Sequence, residues 1–238
     1  MKRLHLLLIL LTLALLAYVF KPYIKIVIFP HEKSITQRLE QFGEAARARW
    51  KPFFTNTQVV YPPATVKLVA FKDERLLQVY AADKSGNNQL IRSCSILAAS
   101  GYPGPKLKEG DGQVPEGVYS IVSLNPNSRF HVSLRVGYPN EFDRSQAEKD
   151  QRKDLGGDIM IHGDSVSIGC LAMGDETAED LFVLAADSGL TNLTLIITPV
   201  DFRKGKVVSK LAQLPEWSEL LYSQIKTNLA DLPVVELK

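Results

Sequence analysis

At Pro62-Pro63 the apolar residues of this chain change period, and that switch constrains the fold more than any other feature. Before it, Ile35, Leu39, Phe42, Ala46 and Trp50 recur at helical spacing behind Ser34, a residue type that caps helices. Pro52, which lacks a backbone N–H, is expected to end that helix. After the switch, short apolar stretches follow the period of strands. Residues 65–71 and 76–80 flank Lys72-Asp73-Glu74-Arg75 like the arms of a hairpin. Further strands are predicted over 90–97, 118–122, 131–136, 158–162 and 193–197. A helix is predicted from Glu176 to Ser188, capped by Asp175 and closed by Gly189, and another around Trp217 to Leu229. Many short strands with few helices imply a β-rich α+β fold, a sandwich or barrel carrying helices.

The first thirty residues impose a second constraint. Lys2 and Arg3 precede an apolar run over 4–20 that only His5 and Thr12 interrupt. At a rise of about 1.5 Å per residue that run reaches ~25 Å. A bilayer core of ~30 Å is then spanned only if residues 23–29 contribute. The run ends Ala17-Tyr18-Val19-Phe20-Lys21-Pro22, a poor match to a small-x-small cleavage site. An uncleaved, single-pass anchor is therefore expected over 1–30, with a cleaved signal peptide as the alternative. The basic N-terminal side would stay in the cytoplasm and the rest would face outward. The expected division is an anchor or membrane helix over 1–30, a helical linker over 31–63, a β-rich domain over 64–203 and a C-terminal helical extension over 204–238.

The net charge of +2 has to be read by segment. Lys2, Arg3, Lys21 and Lys25 precede residue 31, where no acidic residue occurs. Setting those four aside from 28 basic residues leaves 24 against 26 acidic ones, close to −2. No basic footprint for nucleic acid remains, so that class of partner is excluded.

One segment carries chemistry: Ile161-His162-Gly163-Asp164-Ser165-Val166-Ser167-Ile168-Gly169-Cys170. A thiolate attacks carbonyls well, yet a free thiol with a pKa near ~8.5 is mostly protonated at neutral pH. An adjacent imidazole removes this obstacle by accepting the proton and later delivering it to a leaving amine. The Gly169 and Cys170 N–H groups are candidates to face a developing oxyanion. On spacing alone, a buried structural cysteine beside a hydrogen-bonded histidine is the favoured reading. No further Cys or His lies near enough in sequence to complete a metal set, so no metal site is expected.

Context extends the signal. Gly104-Pro105-Lys106, then Glu109-Gly110-Asp111-Gly112-Gln113-Val114-Pro115-Glu116-Gly117-Val118-Tyr119, precede it in order. Tyr138-Pro139-Asn140-Glu141-Phe142-Asp143 and Gly156-Gly157-Asp158-Ile159 come next, still ahead of the histidine. With the His-Gly and Gly-Cys pairs, these stretches resemble the L,D-transpeptidase (YkuD-type) family, in the murein branch that includes the YafK-like proteins. The resemblance covers about 65–202. It implies an L,D-transpeptidase-like β-sandwich with accessory helices, Cys170 as nucleophile, His162 as base and the Gly163 carbonyl as the group orienting the imidazole. It also implies peptidoglycan stem peptides as substrate, a thioester intermediate and an amine acceptor, from another stem or a wall-attached lipoprotein. No cofactor is implied. Ile168 stands where the family usually has a histidine, Ala172 where many members have an arginine, and the loop between His162 and Ser167 is short.

Secondary candidates are Arg135, Lys106 and Asp111 for substrate binding, and Gly169 with Ser167 for the oxyanion turn. Each has a plain alternative: a surface ion pair for Arg135, loop shaping for Lys106 and Asp111, a local turn bond for Ser167. His131 reads as packing and Cys94 as a buried thiol. Three functions remain open: a transpeptidase, a hydrolase using the same Cys-His site, and a non-catalytic wall-binding module. An enzyme of this kind would sit on the periplasmic side of a bacterial inner membrane.

Overall fold

The computed structural model describes residues 12–16, 18–20, 32–208 and 214–234. The chain divides into two compact units, Met1–Ser34 and Ile35–Lys238. In the first, residues 12–16 and 18–20 are helical and exposed. The rest of the anchor expected over 1–30 lies outside the described residues. Among the described residues no helix is long and apolar enough to cross a membrane.

The second unit opens with helix α1 (Ile35–Thr55), which buries Phe42, Ala46, Trp50 and Phe54 along one stripe. Contrary to the sequence-based expectation, Pro52 does not end it. Phe53 and Phe54 pack edge-on against Trp50, and this holds a further turn after the proline. The strands are β1 (Val66–Phe71), β2 (Leu76–Ala82), β3 (Asn88–Ser95), β4 (Ala98–Ala99), β5 (Gly117–Ser128), β6 (His131–Val136), β7 (Met160–His162), β8 (Leu171–Ala172) and β9 (Leu193–Thr198). Helices α2 (Glu141–Lys149), α3 (Asp175–Ser188) and α4 (Ser218–Leu229), with two 3-10 turns at Leu190–Asn192 and Phe202–Lys204, complete the elements of this unit.

The fold is mixed α+β, but its strands form one nine-stranded series in place of the two separate sheets of the expected sandwich. The order is β3-β2-β1-β9-β5-β6-β7-β8-β4. The reason is β5: twelve residues long, it pairs with β9 through residues 117–120 and with β6 through residues 121–128. Its register slips between Ile121 and Ser123, so Ile121 and Leu124 both turn toward the same apolar cluster. The first and last members of the order, β3 and β4, are only two residues apart in the chain. The sheet therefore curls so that its two edges lie near each other without pairing.

Alternate residues of β1 and β9 enter two different cores. Leu68, Ala70, Leu195 and Ile197 join the cluster that includes Trp50 and Phe182, while Val69, Phe71 and Ile196 join the one under Leu221, Ile225 and Leu229 of α4. Being buried on both faces explains why these two strands read as continuous apolar runs and pair in parallel. In β6, β7 and β8 only one face enters the larger core, through Val132, Leu134, Val136, Ile161 and Leu171. The opposite face carries Arg135, Met160 and His162, followed by Cys170 just ahead of β8.

Helix α1 docks on α3 through a buried carboxylate. Asp180, fully buried, accepts from Arg49 and Arg92, each at 2.7 Å, and its carbonyl accepts from Trp50 Nε1 at 2.8 Å. Asp175 does not cap α3 as expected; Gly174 occupies the cap position, and the Asp175 carboxylate accepts from Asp164 N–H instead. Helix α2 was not foreseen. Its signal was present in Asn140-Glu141-Phe142-Asp143, where the Asn140 and Asp143 side chains cap each other's backbone N–H groups.

Candidate active site

The site grows from a parallel pair of very short strands. β7 ends on His162, β8 begins at Leu171, and the register sets Ile161 beside Leu171 and His162 beside Ala172. One step back, Cys170 stands beside Met160. With a side-chain period of two, Met160, His162, Cys170 and Ala172 share a face, opposite the core face of Ile161 and Leu171. His162 and Cys170 are thus diagonal neighbours on one face of the β7–β8 pair.

His162 is 2% exposed, and its Nδ1 lies 2.6 Å from the Gly163 carbonyl oxygen. A carbonyl only accepts, so Nδ1 carries the proton and Nε2 presents a lone pair. Phe130 stacks on the imidazole with centroids 4.7 Å apart, and its carbonyl accepts from Gly163 N–H at 3.1 Å. Residue 163 has to be glycine: a Cβ there would lie 2.8 Å from that carbonyl oxygen and would meet Asp175 Oδ1 as well. Burial pushes the imidazole below its ordinary value, opposed by the Gly163 carbonyl and by Asp164.

Cys170 is a free, half-buried thiol whose Sγ donates to Asp158 O at 3.7 Å. Burial pushes it up; the Met160 N–H and the charge of Lys106 pull it down, and Asp158 opposes them. Burial thus disfavours the charged form of both groups.

The preceding turn is held by two hydroxyls. Gly169, at φ +98°, donates its N–H to Ser100 Oγ at 2.5 Å, and Cys170 donates its own to Ser167 Oγ at 3.1 Å. Ser167 Oγ in turn donates to Cys170 O at 2.7 Å. Both N–H groups considered for an oxyanion are therefore already bonded within the protein.

The remaining candidates separate by place. Lys106 is buried and pairs with Asp111 at 2.6 Å, and Asp111 also accepts from Leu107, Lys108 and Gln113 N–H groups. Burial works against the Asp111 charge, but Lys106 and those N–H groups hold its pKa below the ordinary value. The pair shapes the loop and sets a positive charge near Cys170. Arg135 pairs across β6–β7 with Met160 and so lies on the thiol's face; half-exposed, it binds Asp158 at 2.7 Å. His131 pairs with Glu179 at 2.9 Å. Cys94 is buried in β3. Among the described residues no group of three or more His, Cys, Asp or Glu side chains is placed to hold a metal ion.

Sequence reasoning missed Phe130 and Ser100 as parts of this site. Ser100 carries no local signal, because its partners in the nucleophile turn, Ser167 and Gly169, lie about seventy residues away. A groove of about 490 Å³ lined by Arg129, Phe130, Asp164 and Asp175 flanks the histidine side of the site.

Comparison with known proteins places these observations in a family. Residues 65–201 match the YkuD family, the L,D-transpeptidase catalytic domain. YafK of Escherichia coli strain K12, named as a candidate L,D-transpeptidase, is 38% identical over 128 residues, 52% of this chain and 48% of its own length. The chain thus spans about half the length of the curated relatives it matches. Among solved structures, the helical cell shape determining protein Pgp2 of Campylobacter jejuni aligns at TM-score 0.47 and 19% identity, over 74% of this chain and 59% of its own. Bd1075 of Bdellovibrio bacteriovorus aligns at TM-score 0.41 and 20% identity, over 73% and 57%.

Proposed function

We infer that this chain, which belongs to the YkuD family of L,D-transpeptidase catalytic domains, uses Cys170 to acylate itself on a peptidoglycan stem peptide and passes the acyl group to an amine. The family is one of cell-envelope enzymes with peptidoglycan as the implied substrate. The observation that carries the reading is the His162–Gly163 contact, which leaves Nε2 as the free base on the sheet face that also bears Cys170.

In the proposed reaction the Cys170 Sγ–H proton passes to His162 Nε2 as sulfur attacks the carbonyl between the diamino acid of the stem and the following D-Ala. The C–N bond breaks, the departing amine takes the proton from Nε2, and a thioester remains. An acceptor amine then attacks the thioester and yields its proton to Nε2. A new amide forms, and the cysteine thiolate leaves and recovers its proton from the imidazolium. Arg135, on the same face, is the candidate to hold a stem carboxylate, exchanging Asp158 for it. The enzyme would work on the outer side of the inner membrane, tethered through residues 1–30.

The test is incubation of the protein with tetrapeptide muropeptides, reading product masses. Cross-linked or D-amino-acid-exchanged products support transpeptidation; shortened stems or released groups replace it with hydrolysis at the same thiol. Identical behaviour of the parent protein and Cys170→Ala would leave only a binding module.

A further inference from the structure

We propose that Ser100 is a positioning residue that ties the nucleophile turn to the Gly110-Asp111-Gly112 loop. The inference rests on reading Cys170 as the nucleophile. Ser100 follows β4, whose last pair sets Ala99 opposite Leu171, so it occupies the position facing residue 170 across the ladder. Cys170 is therefore flanked by Met160 of β7 on one side and by Ser100 on the other.

The Ser100 hydroxyl makes two short bonds at once. It accepts from Gly169 N–H at 2.5 Å and donates to Gly112 O at 2.6 Å. Its backbone N–H donates to Ser167 Oγ at 3.2 Å, the same oxygen that accepts from Cys170 N–H. One residue thus joins the loop containing Asp111, the glycine before the nucleophile and the serine that holds the nucleophile's own backbone. Alanine would leave Gly169 N–H and Gly112 O without these partners and cut the only hydroxyl bridge described between loop and turn. Gly169 sits in a backbone region open mainly to glycine, so the turn is soft there and depends on this bond to stay in one conformation. A displacement of the sulfur of even about 1 Å is costly to a reaction that depends on near-attack geometry.

The test compares the parent protein with Ser100→Ala and Ser100→Thr in the full chain, by muropeptide kinetics, the pH dependence of Cys170 alkylation by iodoacetamide, and thermal unfolding. Ser100→Ala is expected to lower kcat about tenfold or more, equivalent to ~1.4 kcal/mol, with KM changed less than about twofold. Its alkylation midpoint should fall toward the ordinary thiol value as the sulfur loses burial. Ser100→Thr, which keeps the hydroxyl, should restore kcat. Parent-like kcat and alkylation midpoint in Ser100→Ala overturns the proposal, as does an equal loss in both variants. If the parent protein turns over no muropeptide, the proposed function fails and the alkylation midpoints alone decide the role of Ser100.

Discussion

The Nδ1 of His162 lies 2.6 Å from the carbonyl oxygen of Gly163, its own chain neighbour. The backbone orients this imidazole, and its tautomer follows from the fact that a carbonyl cannot donate. The same glycine lets the Phe130 carbonyl approach from the other side.

His162→Ala should therefore lower muropeptide turnover about 10²–10⁴-fold, the range for loss of a general base, while circular dichroism shows the fold retained. Turnover within about threefold of the parent would remove His162 from the mechanism.

The pH profile follows from the two shifts and their signs. Burial lowers His162 from 6.5, so the base stays neutral to a more acid pH than an ordinary imidazole. Burial raises Cys170 from 9.0, so the thiol stays protonated to a more alkaline one. The plateau of kcat/KM should extend below pH 6.5 on the acid side, and iodoacetamide alkylation of Cys170 should titrate above pH 9.0. An alkylation midpoint near neutrality would indicate a preformed thiolate–imidazolium pair instead.

Asp180 joins α1 to α3 and faces two arginines with its side chain fully buried. Asp180→Ala leaves those cations facing an empty buried position and should cost about 3–5 kcal/mol in urea unfolding. The alkylation behaviour of Cys170 in the folded fraction should be unchanged, since the joint lies behind the sheet. A loss under about 1 kcal/mol would show that Arg49 and Arg92 relax into water at little cost.

Asp143 gives a second pH effect, on stability. Burial lifts its folded pKa from 3.8 to about 6, against the pull of the Asn140 N–H and Tyr119. A raised folded pKa means the folded state holds the extra proton. The stabilisation is then complete below about pH 4 and is lost as pH rises through about 6, by up to ~3 kcal/mol. Asp143→Asn, which keeps an acceptor for the cap, should flatten this dependence between pH 4 and 7. An unchanged slope in urea unfolding across that window would assign the effect to another group.

The strands and helices with strong periodicity were legible from residues alone. The 66–71, 131–136 and 193–198 strands and the 175–188 and 218–229 helices appear within a residue or two of their expected places. Asp175 bonds Asp164 N–H in place of capping its helix, and two other local readings failed for local reasons. Pro52 was outvoted by aromatic packing after it, and the reciprocal Asn140–Asp143 cap went unrecognised. The sandwich expectation failed for a reason no short window holds: one strand, β5, serves two halves of a single sheet.

Residue types and their order were enough to mark His162-Gly163 and Gly169-Cys170 as chemically able, because a strand end, a turn glycine and a nucleophile are properties of a few adjacent residues. Their placement on one face came from the β7–β8 register. The bond from Ser100 to Gly169, the stacking of Phe130 and the charge of Lys106 beside the thiol came from chain folding over tens of residues. Such contacts arise because the curled sheet brings distant segments to one edge. Packing selects them, and no spacing along the chain encodes it.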